Sequence, residues 1–247
     1  MTAAPKRGTL QWGVRALAWA AAGLAGGVQA QVDTTAPYKL TVADYRYDAG
    51  YSGQDVNLRW RRDGTDLWIG VYHDPVFGSQ WRTGADTSVA LGPGISVQPS
   101  LQAATQGFVG ASLAVQAGDP VFASLGWGRT NLRPYFNLNF DPNDAVTASV
   151  GWHDSDERAV SLTLVADDRL HTGQRDWHLT ARWPLGDQVR ITADLLYKSG
   201  LGDGGPVRGW GWTFNWDIAR WFVRLARDPK QNFSTQDVTR LAAGVRF

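Results

Sequence analysis

The sequence predicts an all-β protein, a transmembrane antiparallel up-and-down β-barrel that follows an N-terminal signal peptide. Three observations lead to this prediction. The chain begins with a basic and then an apolar segment, alternating apolar and polar residues recur from Tyr38 onward, and 13 tryptophans accompany a mean hydropathy of −0.28. A soluble domain would bury so many indole rings in one core. A membrane barrel instead places aromatic rings at two interfaces around a polar interior.

The first element is a signal peptide, residues 1–30. Lys6, Arg7 and Arg15 precede an apolar run that ends in small residues, with cleavage predicted after Ala30. A retained membrane-spanning helix would need about 18 or more apolar residues, and this run is shorter. Removing these three basic residues from the 24 Lys and Arg leaves 21 against 23 Asp and Glu. This balance gives no support for nucleic-acid binding through bulk positive charge.

Residues 31–247 are predicted to form one barrel domain, built from strands of period two. The windows "DVNLRWRR", "RDWHLTARW", "QVRITADLLY" and "RGWGWTFNWD" each alternate an apolar face with a polar one. Short Gly, Pro and Asp turns separate some windows and longer polar stretches separate others, as expected of the two ends of a membrane barrel. A β-sandwich also alternates, but a layer about 10 Å deep would hardly accommodate the aromatic face from Trp210 to Trp216.

The number of strands follows less directly from the pattern. About fifteen windows alternate, whereas a bacterial barrel with both chain ends on one side needs an even number. Two windows contain proline, Pro99 in "ISVQPSLQAA" and Pro134 in "NLRPYFNLNF". A closed sheet has no edge strand that would accept proline easily, so these windows are the weakest candidates. From the chain length we predict twelve strands, with fourteen as the alternative.

The last strand ends on an aromatic residue, because "TRLAAGVRF" alternates strictly and stops at Phe247. Together with the signal peptide and the amphipathic strands, this ending resembles Gram-negative outer-membrane β-barrel proteins. The resemblance implies a location in the outer membrane and contact with its lipid. It also implies that the barrel-assembly machinery recognises the C-terminal strand, with Phe247 as part of the signal.

The faces opposite the apolar ones define a lumen in which arginine predominates. The predicted lumen arginines are Arg59, Arg61, Arg82, Arg133, Arg182, Arg190, Arg224 and Arg240. Because guanidinium groups bind carboxylate and phosphate in a fixed geometry, this lining predicts a small channel that favours anionic solutes. Such a channel resembles the small monomeric porins for acidic oligosaccharides. The alternative is a plugged barrel, in which inward Arg and Asp pair with each other and prevent conduction.

An enzymatic alternative rests on His153 and Ser155 in "GWHDSDE". This alternative is a lipid hydrolase or acyltransferase. Several outer-membrane barrels are lipid hydrolases whose His and Ser lie two residues apart on a lipid-facing strand, because a hydroxyl nucleophile needs an adjacent base. The Asn that follows the serine in those enzymes is absent here, and the alternation turns His153 and Ser155 inward. The sequence therefore favours a protein without enzymatic activity. Four His and no Cys give no spacing typical of a zinc site, and no metal or cofactor is predicted.

Aromatic girdles are predicted at the two membrane interfaces, where amphipathic rings meet lipid headgroups. The girdle residues are Trp60, Trp177, Trp183, Trp210, Trp216 and Trp221, joined by Trp68, Trp81, Trp152 and Phe247.

Overall fold

The computed structural model describes residues 36–136, 144–154 and 157–247. The predicted signal peptide, with its cleavage after Ala30, lies outside these ranges. Each strand pairs antiparallel with its neighbours in the chain, and the last strand pairs with the first, so the sheet closes on itself. Within the described ranges, no helix is both long enough and apolar enough to cross a membrane.

The closed sheet that the described residues form has fourteen strands, so the prediction of twelve is wrong and the alternative of fourteen is correct. The strands are β1 Tyr38–Tyr47, β2 Ser52–Arg62, β3 Thr65–Asp74, β4 Gly78–Thr87 with its continuation Val89–Gly92, β5 Ile95–Ala104, β6 Phe108–Ala117, β7 Val121–Thr130, β8 Ala145–His153, β9 Ala159–Asp167, β10 Arg175–Pro184, β11 Val189–Gly202, β12 Gly205–Ile218, β13 Trp221–Asp228 and β14 Val238–Arg246. Short 3-10 turns occupy Thr105–Gly107 and Gln231–Phe233.

Pro99 lies within β5, contrary to the expectation that a closed sheet would exclude it. On one side, Pro99 pairs in register with Leu113 of β6. On the other side, the ladder between β4 and β5 stops after Asp86 and resumes at Val89 in the same register, which places Pro99 opposite Thr87 within the gap. Proline has no backbone N–H to donate across this ladder, so the interruption falls where the donor is missing. β4 therefore continues past the interruption as one strand.

Both ends of the barrel domain meet at one rim. Tyr38 and Phe247 exchange two backbone hydrogen bonds of 3.0 Å, and their rings stack with centroids 5.6 Å apart. We call this rim the terminal end and the opposite rim the loop end. β7 ends and β8 begins at the loop end, where β11 and β12 also extend as a hairpin of two 14-residue strands.

Burial alternates along the strands and separates an inner from an outer face. In β1, the buried residues Ala43, Tyr45 and Tyr47 face inward, while Val42, next to Ala43, is exposed. The cross-strand register carries this assignment around the barrel, because directly opposed residues share a face. The inward and outward faces inferred from alternation in the sequence therefore correspond to the lumen and the outer surface.

The six principal girdle tryptophans lie on the outer face. Near the terminal end are Trp60, Trp183, Trp216 and Trp221, and near the loop end are Trp177 and Trp210. Trp68 is an exception, because it faces the lumen and is only 8% exposed. Its ring covers Gly84, where an added Cβ would lie 2.5 Å from the ring. The girdle assignment of Trp68 is wrong because the aliphatic residues Leu67 and Ile69 form the outer face of β3.

Candidate functional site

The inner wall has an uncharged side, which we call the hydroxyl wall. It consists of the inward residues of β5 to β8 together with Ser161 and Thr163 of β9, and these are mainly Ser, Thr, Gln and small side chains. Hydroxyl groups pair across neighbouring strands, with Ser100 to Ser112 at 2.6 Å and Ser149 to Thr163 at 2.9 Å. These hydrogen bonds satisfy polar groups without placing any net charge on this side of the lumen.

The opposite side, from β10 through β14 and β1 to β4, carries the charged residues. Asp217 of β12 is 2% exposed and is the main acceptor near the terminal end. It accepts hydrogen bonds from Arg246, from Arg190 at 3.3 Å and from Asn215 at 2.9 Å. Arg190 also pairs with Glu157. One buried carboxylate thus holds two arginines that approach it from different strands.

Three further predicted lumen arginines are also paired with aspartates. Asp66 accepts two hydrogen bonds from Arg61, at 2.7 and 2.6 Å, and one from Arg59 at 3.4 Å. Arg82 forms a buried ion pair with Asp55. A count of arginines alone therefore overestimates the positive charge of the lumen, because these aspartates offset much of it.

A row of three cations nevertheless crosses neighbouring strands near the terminal end, and we call it the cationic row. Lys39 of β1 stands directly opposite Arg59 of β2 and Arg246 of β14. The Lys39 Nζ lies 4.3 Å from the ring centroid of Phe222, within reach of a cation–π interaction. Lys39 was not among the predicted lumen residues, although its alternation with Leu40 and Val42 would have placed it inward.

Two other wall cations also lack carboxylate partners within the described ranges: Arg224 of β13, next to the cationic row, and Arg182 of β10, four strands away from β14. Among the residues that the structure describes, no carboxylate oxygen lies within 4.0 Å of Lys39, Arg182 or Arg224. Arg224 instead donates to the side-chain oxygen of Asn215 at 3.4 Å. The wall around Lys39 and Arg224 therefore has a surplus of positive charge.

The other two predicted lumen arginines lie in different settings. Arg240 faces inward from β14, with its guanidinium 5.8 Å from the ring centroid of Tyr45. Arg133 is not on a strand, because the window that contains Pro134 does not form one over residues 131–136. Arg133 is exposed in this segment, so the structure does not place it with the wall arginines.

Residues 131–136, which we call the infolded segment, reach into the lumen from the end of β7. The Phe136 ring stacks on Tyr72 with centroids 3.9 Å apart, and the Tyr135 ring stacks on Phe108 at 4.0 Å. The Phe136 amide donates to Gln80 Oε1 at 2.9 Å, which ties the segment's backbone to the inner wall. The infolded segment thus narrows the lumen near the loop end.

The infolded segment completes an aromatic cluster inside the barrel. Tyr72 is fully buried, and its hydroxyl lies 2.6 Å from that of Tyr47 and donates to Asp74 at 2.6 Å. Gly53 provides the space, because an added Cβ would lie 2.3 Å from the Tyr72 hydroxyl. This cluster could not be predicted from the sequence, because it depends on contacts between residues that are distant in the chain.

Asp144, the residue before β8, joins the start of that strand to the end of β7 and to the loop after β9. Its carboxylate accepts hydrogen bonds from the Thr130 backbone amide and hydroxyl, and from Arg169 at 2.6 Å. Partial burial acts to raise the pKa of Asp144, but the hydrogen bonds from Thr130 and Arg169 outweigh it and hold the pKa below its ordinary value of 3.8. The ionised carboxylate is therefore the form that stabilises this corner.

This depressed pKa predicts an acid-sensitive corner. The stabilisation is complete above the ordinary pKa and is lost as the pH falls through the lower pKa of the folded state. An NMR titration should detect a change at the Thr130 amide with a midpoint below 3.8. In Asp144→Asn, which cannot titrate, the same signal should stay constant. A wild-type midpoint at or above 3.8 would contradict the prediction.

Two cavities, of about 450 and 430 Å³, open within the lumen. The first is lined by polar and charged residues, and in it the Nδ1 of His178 lies 2.9 Å from Asp194 Oδ1. The second lies between Arg59 and Trp68 on one side and the hydroxyl wall on the other. Both volumes are in the range that accommodates small molecules.

The structure gives no geometry for the predicted His–Ser pair. His153 faces inward at the terminal end, and its Nε2 lies 3.7 Å from a carboxylate oxygen of Asp119. Ser155 lies outside the described residues.

The fold can be compared with known proteins. No protein-family model and no curated protein matches the chain. Among solved structures, outer membrane protein Omp33 of Acinetobacter baumannii is similar with a TM-score of 0.54 and 8% identity, over 86% of this chain and 98% of that one. The KdgM and NanC porins align with TM-scores of 0.48, at 11% and 7% identity, over 85% and 84% of this chain and 99% and 98% of theirs.

This chain has the fold of an outer-membrane β-barrel. The predicted resemblance is thereby confirmed at the level of the fold. An identity of 8% supports nothing beyond the fold, so the solute and the lumen chemistry must be argued from this chain's own residues.

Proposed function

We propose that this protein is a channel in the outer membrane of a Gram-negative bacterium and that it favours small anionic solutes. The observation that carries the proposal is the cationic row, together with the uncompensated charges of Lys39, Arg182 and Arg224. In a narrow lumen, fixed cations on the wall attract anions and repel cations. The terminal end would face the periplasm, as in barrels with both chain ends on that side.

The distribution of charge strengthens this argument. The hydroxyl wall faces the charged side and contributes no carboxylates along β5 to β8 that would neutralise its field. Aspartate pairing also orients the arginines of the row, since Asp66 holds Arg59 and Asp217 holds Arg246. These guanidinium groups are already ordered. Their remaining N–H donors can therefore bind a carboxylate or phosphate with little further loss of side-chain conformational entropy.

A plugged barrel is the second candidate, and the aromatic cluster favours it. Tyr72, Phe136 and their neighbours occupy the loop end of the interior, and several arginines are compensated by aspartates. This arrangement stabilises the barrel whether or not solutes pass. A measurement of ion conduction therefore distinguishes the channel from the plugged barrel. No observation in the structure favours the lipid hydrolase or acyltransferase.

Single-channel recording in a planar bilayer tests the proposal. With a KCl gradient across the bilayer, the refolded protein should give discrete openings and a reversal potential of the sign that indicates chloride preference. The double variant Lys39→Gln with Arg224→Gln should lower this preference, because it removes two unpaired wall charges. The control Arg227→Gln alters a cation on the outer face that pairs with Asp237 and should leave the preference unchanged. Cation preference, or no openings from folded protein, would refute the proposal.

The position of Phe247 supports a further part of the proposal, recognition by the barrel-assembly machinery. Phe247 follows the last strand, is 56% exposed and stacks on Tyr38 at the seam where the barrel closes. An aromatic residue at this seam remains accessible after the strand has formed. We therefore retain it as the proposed assembly signal.

A further inference from the structure

A second feature of the barrel lies on its outer face near the loop end, where β10, β11 and β12 run side by side. Arg175 of β10 stands opposite Ser199 of β11, which stands opposite Arg208 of β12. All three side chains point outward, because the flanking residues Asp176, Lys198 and Val207 face inward. Neighbouring strands are about 4.8 Å apart, so the two arginines are separated by about 10 Å of backbone.

Directly below this pair, toward the middle of the barrel, lies an aromatic row. Trp177, Tyr197 and Trp210 oppose one another on the same three strands, and the Tyr197 and Trp210 rings lie 4.8 Å apart. Aromatic rows of this kind mark the membrane interface. Two residues along a strand correspond to about 7 Å, so Arg175 and Arg208 stand at the level of the lipid headgroups.

The two arginines differ from other outward arginines near the loop end. Arg46 pairs with Asp44, Arg129 with Asp168, and Arg227 with Asp237. Across the described part of the chain, the side chains of Arg175 and Arg208 make no hydrogen bond and no ion pair, and both residues are exposed. Two cations above an apolar surface therefore lack a compensating anion among the described residues.

The backbone around this pair is well anchored. Gln174, next to Arg175, donates its side-chain amide to the Leu201 carbonyl at 2.7 Å, and the Leu201 amide donates to Thr172 at 3.0 Å. Asp167 accepts from the Thr172 amide and hydroxyl, both at 2.7 Å. These bonds connect the loop before β10 to the β11–β12 hairpin and fix the spacing of the two arginines.

We propose that Arg175, Ser199 and Arg208 form a binding site for the phosphate monoester of a lipid in the membrane leaflet at the loop end. The arginines would bind the phosphate from both sides, the Ser199 hydroxyl would donate between them, and the acyl chains would lie along Trp177, Trp210 and the apolar surface below. The proposal rests on the membrane location proposed above and is independent of what passes through the lumen.

Native mass spectrometry of the refolded full chain tests this site. Insertion of the protein into phosphatidylcholine vesicles is measured first. A protein that does not insert would contradict the proposed membrane location, whatever the result for the lipid site. The detergent-solubilised barrel is then titrated with phosphatidic acid and with phosphatidylcholine of the same acyl chains. We expect one phosphatidic acid to be retained preferentially. The double variant Arg175→Gln with Arg208→Gln should weaken its binding about 30-fold, given the usual contribution of each interfacial arginine.

Matched controls make the outcome specific. Arg46→Gln removes an exposed outward arginine at the same rim that already pairs with Asp44, and it should bind phosphatidic acid like the wild type. A large excess of inorganic phosphate should not displace the lipid, because the acyl chains contribute to binding. Equal retention of phosphatidic acid by the wild type and the double variant would overturn the proposal. So would displacement by inorganic phosphate, which would identify a site for the free ion.

Discussion

Replacing Asp217 by Asn is expected to destabilise the barrel by about 3–5 kcal/mol, the usual cost of removing one partner from a buried ion pair. The Asp217 side chain is 3% exposed and lies against Arg190 and Arg246, which are themselves 12% and 11% exposed. Asn keeps the size of the side chain but removes its charge. Two largely buried guanidinium groups would then share a neutral neighbour, and their mutual repulsion would add to the cost.

The same substitution has a second expected effect, on conduction. Because Asp217 offsets positive charge beside the cationic row, its neutralisation should increase the preference for chloride in a KCl gradient. If Asp217→Asn lowers the stability and also raises the preference for chloride, the lumen conducts ions, and this result contradicts a plugged barrel. A plugged barrel would lose stability without gaining selectivity.

Asp44→Asn is a suitable control for the effect on stability. Asp44 faces outward and pairs with Arg46, whose side chain is 74% exposed, so the loss should be no more than about 1 kcal/mol. Both variants can be compared by urea unfolding in lipid vesicles, with tryptophan fluorescence as the readout. If Asp217→Asn unfolds at the same urea concentration as the wild type, the inferred role of Asp217 is wrong.

The faces of the strands could be predicted from the sequence because side-chain direction has a period of two. Once Val56, Leu58 and Trp60 are assigned outward, Arg59 and Arg61 must face inward, and the structure places both there. This inference needs no knowledge of which strands are neighbours. Alternation therefore located most of the lumen arginines but could not identify their partners.

Features that depend on neighbouring strands were not predictable in this way. The pairing of Arg82 with Asp55 joins residues 27 apart in the chain, and Tyr72 contacts Phe136 across an even larger separation. The strand number depends on closure of the whole sheet, which local periodicity does not determine. Pro99 could be tolerated only because the ladder beside it is interrupted, and that interruption is a property of the paired strands.

Trp68 illustrates a different limit of the sequence pattern. Tryptophan is common at membrane interfaces, so its presence in an alternating window favoured the outer face. The neighbouring strand carries Gly84 at the opposed position, and this glycine gives the indole ring space inside the barrel. The pairing of a large inward residue with a glycine on the next strand becomes visible only when the register is known.

The second large effect is expected at Leu195, which lies in the middle of β11 and faces outward with 44% exposure. Its cross-strand neighbours are Leu179 and Trp212, so the surrounding surface is apolar. Arginine on the lipid face of a barrel costs about 2–4 kcal/mol at the bilayer midplane and about 0–1 kcal/mol near the interfaces. We therefore expect Leu195→Arg to lower the free energy of unfolding by about 2–4 kcal/mol.

Depth in the membrane, more than the chemistry of the substitution, should determine this cost, and Gln54→Arg provides the comparison. Gln54 faces outward near the loop end of β2, opposite Asp44, so an arginine there can reach the headgroup region. The two variants should unfold in vesicles at clearly different urea concentrations, with Gln54→Arg close to the wild type. Equal destabilisation of the two would mean that Leu195 does not lie deeper in the lipid than Gln54, and the placement of the bilayer around this barrel would then have to change.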